Sequence, residues 1–193
     1  MGIAAADRRG AEELESTNRR RRADPALQRG GWIGTGEVVS AQRPRTTCQV
    51  MPMHKITPYS LWIGNAGNGR DYRSVIDAGI QAIVQLALEE PPLQPPRDFI
   101  YCRFPLVDGS DNSAALLTAT IHTLVGFLER SVPTLLCCGA GMSRSPAIAA
   151  MAIAQFSKRK PMECLELVVQ QRPADLSPGF WNELTQAHIA TQT

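Results

Sequence analysis

The chain has 193 residues, of which 44% are hydrophobic and 20% charged, and this composition predicts one globular domain with a sizeable core. The formal net charge of +2 does not indicate a nucleic-acid-binding protein, and nine Arg and six acidic residues are concentrated in residues 1–52, which leaves the remainder nearly neutral. The sequence contains neither a run of roughly 18 apolar residues nor the apolar core of a signal peptide, which favours a cytoplasmic protein with no membrane partner.

Residues 1–52 are rich in Arg, Gly, Ala and Gln and show no sustained apolar period. This composition predicts a disordered N-terminal extension followed by a folded domain over residues 53–193. The run RRRR at residues 19–22 is typical of a solvated tail, and a contact with nucleic acid or an anionic surface is the alternative. A translation start at Met51 or Met53 would instead make the extension an artefact of the chosen start.

From Ile56 onward, strand-like segments alternate with helix-like segments. The predicted strands are residues 60–64, 80–87, 99–106 and 134–138. The predicted helices are residues 71–79, 114–131, 145–158, 161–172 and 178–190. The glycine-rich segment 65–69 predicts a turn, because it lacks the Lys-Ser/Thr pair of a triphosphate-binding loop. The alternation predicts an α/β fold with a central, mostly parallel sheet of about four to five strands flanked by helices.

The segment TLLCCGAGMSRSPAIAAMAIA, residues 134–154, places a glycine-rich loop between a strand and a helix. We expect the backbone N–H groups of Gly139, Ala140, Gly141, Met142 and Ser143, with those of the first helical turn, to converge on one anion. The planar guanidinium of Arg144 is suited to binding two oxygens of a tetrahedral dianion. The sequence therefore predicts a phosphate cradle formed by residues 139–144.

Cys138 is expected at the base of this cradle, where a helix N-terminus and a nearby cation favour the thiolate form of a cysteine. A thiolate in that position can attack phosphorus and form a cysteinyl-phosphate, which divides hydrolysis into two easier steps. The other cysteines, residues 48, 102, 137 and 164, have no metal-ligand spacing and indicate no disulfide framework. We therefore expect neither a metal nor an organic cofactor.

The pattern CGAGMSRS, a cysteine followed by five residues, Arg144 and Ser145, resembles the signature loop of the cysteine-dependent protein phosphatases. The flanking sequences are similar to the compact dual-specificity branch of that superfamily. ITPYSLWIGNAGNGRDYRSVIDAGIQAIVQL resembles its opening strand, helix and strand, and QQRPADLSPGFWNEL resembles its closing segment. The resemblance covers roughly residues 56–190 and implies a dual-specificity phosphatase-like catalytic domain.

The resemblance also implies a general acid on a separate loop, which protonates the leaving oxygen and later activates water. Asp108 lies 30 residues before Cys138, where the family places its acid, and Asp111 on the same loop is the competing candidate. Ser145 matches the hydroxyl residue that stabilises the thiolate as it leaves in the second step. Its position equally predicts a helix N-cap, with Pro146 at the first helical position.

The sequence departs from the family pattern immediately before the nucleophile, where Cys137 replaces the usual His. A neutral thiol is a weaker hydrogen-bonding group than imidazole, so lower activity or a higher pH optimum is expected. Adjacent strand residues point to opposite faces, which predicts a core position for the Cys137 side chain. In the alternative, Cys137, or Cys102 on a possibly neighbouring strand, traps oxidised Cys138 as a disulfide.

The predicted activity is hydrolysis of phosphomonoesters on a phosphorylated protein, at phosphotyrosine, phosphoserine or phosphothreonine. The uncharged loop residues Ala140 and Met142 disfavour a phosphoinositide, since inositol-phosphate phosphatases of this superfamily tend to carry lysines there, and a phosphorylated RNA end is a further alternative. A catalytically weak phospho-binding module is the rival from another class. A sulfur-transfer protein and an arsenate reductase are disfavoured by the acid loop and by the late position of Cys138.

Overall fold

A computed structural model of the chain describes residues 52–190, and these form an α/β fold as predicted. The predicted extension lies outside the described residues, apart from Pro52. The strands are β1 (His54–Ile56), β2 (Leu61–Asn65), β3 (Ala82–Ala87), β4 (Ile100–Leu106) and β5 (Thr134–Cys138). The helices are α1 (Ala66–Arg70), α2 (Tyr72–Asp77), α3 (Ala114–Glu129), α4 (Arg144–Ser157), α5 (Pro161–Gln171) and α6 (Pro178–Ala190).

The five strands form one sheet in the order β1-β2-β5-β3-β4. Only the β1–β2 pair in it is antiparallel, so the prediction of a mostly parallel sheet is confirmed. The central strand β5 pairs with β2 on one side and β3 on the other, and its five residues are all buried. A strand buried on both faces needs a continuous apolar run, which Thr134–Cys138 supplies.

Two hydrophobic clusters cover the two faces of the sheet. The larger contains buried residues of α3, α4, α5 and α6, together with Cys138 of β5. The smaller contains Val75 of α2, together with Leu135 and Cys137 of β5. Helix α4 lies deepest, since every residue from Arg144 to Ala154 is buried, and its many alanines let it lie close to its neighbours. The sheet thus fixes the start of α4 against the end of β5.

Three local predictions from the sequence were wrong. Strand β1 was not predicted, because a three-residue edge strand carries little periodicity. The predicted turn at residues 65–69 is helix α1, which Asn65 and Asn68 stabilise by each accepting the backbone N–H of the other, at 2.9 and 2.8 Å. Helix α4 begins at Arg144 with Ser143 in the N-cap position, so Ser145 lies inside the first turn and does not cap the helix.

Within residues 52–190, no helix combines the length and the apolar character needed to cross a membrane.

Candidate active site

The loop predicted to bind phosphate connects the end of β5 to the start of α4, at the carboxyl edge of the sheet. Asn65, the last residue of β2, is in register with Cys138, the last residue of β5. The backbone N–H of Ala66 donates to the carbonyl of Gly139 at 3.0 Å, which ties the start of the loop to the neighbouring α1. At the other end of the loop, the N–H of Asp175 donates to the Met142 carbonyl at 2.9 Å.

Gly141 is the tightest point of the loop. Its φ of +73° is disfavoured for residues with a side chain, and a Cβ built there would lie 2.6 Å from the Gly64 carbonyl oxygen. The same Cβ would lie 2.8 Å from Nη2 of Arg172. The loop turns close against β2 because this position has no side chain.

Cys138 lies at the base of the loop with 2% of its surface exposed. The backbone N–H of Gly141 donates to the Cys138 Sγ at 3.2 Å. The loop surrounds the sulfur because of this hydrogen bond, and an N–H donor in this position stabilises negative charge on the sulfur. The structure therefore brings Cys138 and the predicted cradle together, with Ala140 exposed at the rim.

The Arg144 guanidinium lies in the first turn of α4 and is held on one side by two acceptors. Its Nη1 donates to Oε2 of Glu89 at 2.7 Å and to the carbonyl of Leu106 at 2.9 Å, and Nη2 donates to Oε1 of Glu89. Burial disfavours its charge, but the hydrogen bonds that it donates to Glu89, together with the nearby negative groups, outweigh burial, so the pKa of Arg144 is raised. Arg144 Nε is buried and has no hydrogen-bond partner within residues 52–190.

Glu89 is held in place by the segment that follows β3. The buried Gln85 side chain donates to the Pro91 carbonyl at 2.9 Å and accepts from the Leu93 N–H at 3.1 Å and the Tyr101 hydroxyl at 2.6 Å. Arg103 donates to the carbonyl of Leu88 at 3.3 Å. These contacts fix the backbone on both sides of Glu89, so the carboxylate meets Arg144 from a constrained loop.

Asp108, the predicted general acid, lies against the same loop. Its Oδ1 accepts from the Ser143 hydroxyl at 2.7 Å, and its Oδ2 is 3.6 Å from the Nε of Arg144. The Ser143 hydroxyl also accepts from the N–H of Ser177 at 3.2 Å, and its side chain does not cap α4. Ser143 therefore connects the acid loop, the phosphate loop and the segment before α6.

The competing candidate, Asp111, is turned away from the loop. Its φ is +85°, and its N–H donates to Glu183 of α6 at 2.6 Å. Asn112 fixes the same turn by donating to Glu183 at 3.1 Å and to the carbonyl of Val107 at 3.2 Å. The geometry brings Asp108 to Arg144 and leaves Asp111 in a turn against α6.

Ser145 is fully buried in the first turn of α4, and its Oγ has no hydrogen-bond partner in the described chain. The predicted N-cap role is wrong, because Ser143 occupies that position. A buried hydroxyl without a partner is unusual, since leaving such a group unpaired costs about 1–3 kcal/mol. The Ser145 hydroxyl therefore has an unused hydrogen-bond donor.

Cys137 faces the opposite side of the sheet from Cys138, as predicted from the strand alternation. Burial raises the pKa of Cys137 to about 12, so this thiol stays neutral at physiological pH. Cys102 lies on β4, which β3 separates from β5, so the expectation of a neighbouring strand was wrong. Neither cysteine is placed to trap an oxidised Cys138.

Two residues at the site were not predicted from the sequence. Glu89 is one of two adjacent acids that follow β3 after Leu88, at the carboxyl edge, and that position was the available signal. Arg172 lies in the QQRP motif, which was recognised as part of the closing segment without a role. It is 4% exposed, and its Nη1 donates to the carbonyl of Ile63 at 3.1 Å.

Neither the protein-family models nor the curated proteins include a match to this sequence. The solved structures do, and human DUSP28 has a TM-score of 0.64 at 24% identity, over 72% of this chain and 97% of that one. A mouse putative dual specificity phosphatase, complexed with zinc tungstate, has a TM-score of 0.65 at 23% identity, over 83% and 95%. PTPMT1 in complex with PI(5)P has a TM-score of 0.58 at 17% identity, over 72% and 96%. The chain has the dual-specificity phosphatase fold, which confirms the resemblance at the level of the fold.

We expect Gly141→Ala to destabilise the loop, because it adds a side chain at positive φ and in contact with the Gly64 carbonyl. The loss should be about 1–3 kcal/mol in the free energy of unfolding, measured by urea denaturation, with weaker vanadate binding. Gly126→Ala in α3 is the matched control, since its Cβ meets only the Arg130 side-chain tip at 3.5 Å. Equal stability of the two variants would contradict the close approach at Gly141.

We expect Glu89→Gln to lower the melting temperature at pH 7 by about 2–4 °C, the effect of losing one partly exposed ion pair. Hydrogen bonding to Arg144 lowers the pKa of Glu89, so the pair is intact above the unfolded-state pKa and is lost as pH falls through the folded-state value. The difference from wild type should therefore shrink on acidification. Glu163→Gln is the control, because Glu163 forms an exposed ion pair with Arg159. If the melting-temperature difference between Glu89→Gln and wild type does not depend on pH, the Glu89–Arg144 ion pair is contradicted.

Proposed function

We propose that this protein is a cysteine-dependent phosphatase that hydrolyses phosphomonoesters through a cysteinyl-phosphate intermediate. The observation that carries the proposal is the unused binding edge of Arg144. A guanidinium has five N–H donors, and Glu89 and the Leu106 carbonyl occupy only three of them. The Nε–H and one Nη2–H stay available at the loop, and together they match two oxygens of a phosphoryl group.

The remaining groups support a two-step reaction around that phosphate. In the first step the Cys138 Sγ attacks phosphorus, the bond to the ester oxygen breaks, and Asp108 gives its proton to the leaving oxygen. In the second step Asp108 accepts a proton from water, the water oxygen attacks phosphorus, and the Cys138 thiolate leaves. The Ser145 hydroxyl, which has no partner in the described chain, donates to the departing sulfur in this scheme. The backbone N–H groups of the loop hold the phosphoryl oxygens throughout.

The position of Asp108 supports its assignment as the general acid. It contacts Ser143 and Arg144 at the rim of the loop, with 42% of its side chain exposed, so it can meet both a leaving group and an incoming water. An acid at this place contributes typically 10²- to 10⁴-fold to the rate. Asp111 has no comparable contact with the phosphate loop in the described structure.

Charges around the loop favour a phosphorylated protein as substrate. Three carboxylates lie at the rim: Glu89 and Asp108 are partly exposed, and the exposed Asp175 contacts the Met142 carbonyl through its backbone. The lysines of residues 52–190 lie elsewhere, with Lys55 on β1 and the other two after α4, at the far end of that helix. A negatively charged rim repels substrates that carry several phosphates, and it favours a phosphorylated residue with neutral or basic neighbours.

We expect wild-type protein to hydrolyse an aryl phosphate without added metal and Cys138→Ser to lose this activity. Asp108→Asn should lower kcat on a poor leaving group by about 10²- to 10⁴-fold, because the leaving oxygen then departs unprotonated. Asp111→Asn is the matched control and should keep most of the activity. A loss confined to Asp111→Asn would transfer the acid role to that residue. Vanadate binding with no Cys138-dependent turnover would favour the phospho-binding module.

Substrate charge gives a second prediction. Phosphopeptides with Lys or Arg beside the phosphorylated residue should have a kcat/KM roughly fivefold higher than those with Asp or Glu, and the ratio should shrink at high salt. Asp175→Asn should reduce this preference without changing turnover of a small aryl phosphate. The complex of PTPMT1 with PI(5)P makes phosphoinositide vesicles the comparison substrate. Faster turnover of those vesicles than of every phosphopeptide would overturn the protein-substrate assignment.

A further inference from the structure

Arg172 is a buried arginine that links the end of α5 to the underside of the phosphate loop. It directly follows Gln171, whose side chain accepts from the backbone N–H of Thr57 at 2.8 Å and donates to its carbonyl at 3.1 Å, which fixes the end of the helix. From there the guanidinium reaches the carboxyl end of β2 and donates to the Ile63 carbonyl. Its Nη2 lies against Gly141, where a Cβ would approach it to 2.8 Å.

The charge of Arg172 is not balanced by a carboxylate. Within residues 52–190, no Asp or Glu forms an ion pair with it, whereas the other buried arginine of the loop, Arg144, pairs with Glu89 and Asp108. The Nε of Arg172 also has no hydrogen-bond partner in this part of the chain. Arg172 is 4% exposed, and burying a cation this deeply costs free energy unless a negative charge lies nearby. We therefore expect a negatively charged group close to Arg172.

The sulfur of Cys138 is the group that can supply this charge. Gly141 lies between the two, since its N–H donates to the Cys138 Sγ at 3.2 Å and its Cα faces the guanidinium of Arg172. Burial lowers the pKa of Arg172, and a negative Cys138 opposes that effect. The two buried groups therefore stabilise each other's charged forms across one backbone turn.

We propose that Arg172 is a positioning residue whose buried positive charge holds Cys138 as a thiolate, the task that an imidazole at position 137 would otherwise share. The proposal rests on the proposed function, because the thiolate is the nucleophile of that reaction. It explains how a chain with a neutral thiol at position 137 keeps its nucleophile charged. It also gives a role to the arginine of the QQRP motif, which the reaction scheme does not use.

The charged and titratable groups around Cys138 come from every element that meets at the loop. They are Glu89 after β3, Asp108 after β4, Cys137 of β5, Arg144 of α4, Arg172 after α5 and Asp175 before α6. Arg144 also interacts electrostatically with Cys138, but it pairs with the carboxylates of Glu89 and Asp108 as well. Cys137 is neutral and faces away. On the face of Cys137, Arg70 and Glu90 pair with each other. Within residues 52–190, Arg172 is therefore the buried cation near Cys138 that has no carboxylate partner.

Alkylation of Cys138 by iodoacetamide tests the proposal, because the reagent reacts with the thiolate and needs no turnover. The rate is followed across pH in the full chain by peptide mass spectrometry, which separates Cys138 from the other cysteines. Arg172→Met should move the midpoint of the profile upward and lower the rate at pH 6.5 by about tenfold, the effect of a one-unit shift. Arg172→Lys keeps the charge and should restore most of the rate.

Arg159→Met is the matched control, since Arg159 is exposed and pairs with Glu163 beside the start of α5. If Arg172→Met does not fold, Arg172→Gln takes its place, because an amide can still donate to the Ile63 carbonyl. An unchanged midpoint in a folded, uncharged variant overturns the proposal and leaves Arg172 a structural role. In wild type, an alkylation profile no different from that of an unperturbed thiol also overturns it.

Aryl phosphate hydrolysis measured in parallel separates the two proposals. If turnover requires Cys138 but the alkylation midpoint is the same with and without Arg172, only the proposed role of Arg172 is contradicted. If the alkylation midpoint depends on Arg172 but no turnover is detected, the phosphatase assignment is contradicted. The electrostatic coupling between Arg172 and Cys138 then still holds.

Discussion

Two buried arginines, Arg144 (2% exposed) and Arg172 (4% exposed), lie beside the phosphate loop at the carboxyl edge of the sheet. Their positive charges must be balanced by groups inside the protein. An unpaired buried charge costs several kcal/mol, so each guanidinium dictates what surrounds it. Arg144 forms ion pairs with Glu89, which follows β3, and with Asp108, which follows β4. Arg172 lies behind Gly141, next to the sulfur that the loop encircles. The arrangement of strands, loops and helices at this edge satisfies those two charges.

This balance gives each connecting segment a defined task. The segment after β3 carries Glu89, and the buried Gln85 fixes its backbone. Asp108 arrives on the segment after β4 and meets the Ser143 hydroxyl. The helix dipole of α4 and the loop N–H groups add to the positive potential at the cradle. These groups hold the loop in the arrangement that the proposed binding of a phosphate dianion requires.

The sequence predicted the fold and the centre of the site because both depend on local patterns. Apolar runs and helical periodicity predicted four of the five strands and five of the six helices, and the cysteine-to-arginine spacing predicted the loop between β5 and α4. Helix α1 was missed because its stability comes from a reciprocal Asn65–Asn68 cap in a glycine-rich segment that otherwise reads as a turn. The start of α4 was misplaced because the hydroxyl of Ser143 binds Asp108 instead of capping the helix.

The contacts of Glu89 and Arg172 were not predicted from the sequence for a different reason. Glu89 lies 55 residues from Arg144 along the chain, and Arg172 donates to Ile63 across 109 residues. Such contacts depend on strand order, which a single sequence does not specify. The strand order also removed Cys102 from the vicinity of β5. Residue identity thus predicted the loop that carries the proposed chemistry, and the topology determines which charged groups surround that loop.

The most direct measurement is a rapid acid quench of the full-length protein during turnover of an aryl phosphate, followed by peptide mass spectrometry. If Cys138 is the nucleophile of a two-step hydrolysis, one phosphoryl group is found on Cys138, and vanadate prevents its appearance. The phosphoryl adduct is absent from Cys138→Ser. Turnover with no phosphoryl group on Cys138 at any quench time, or with one on another residue, would contradict the account.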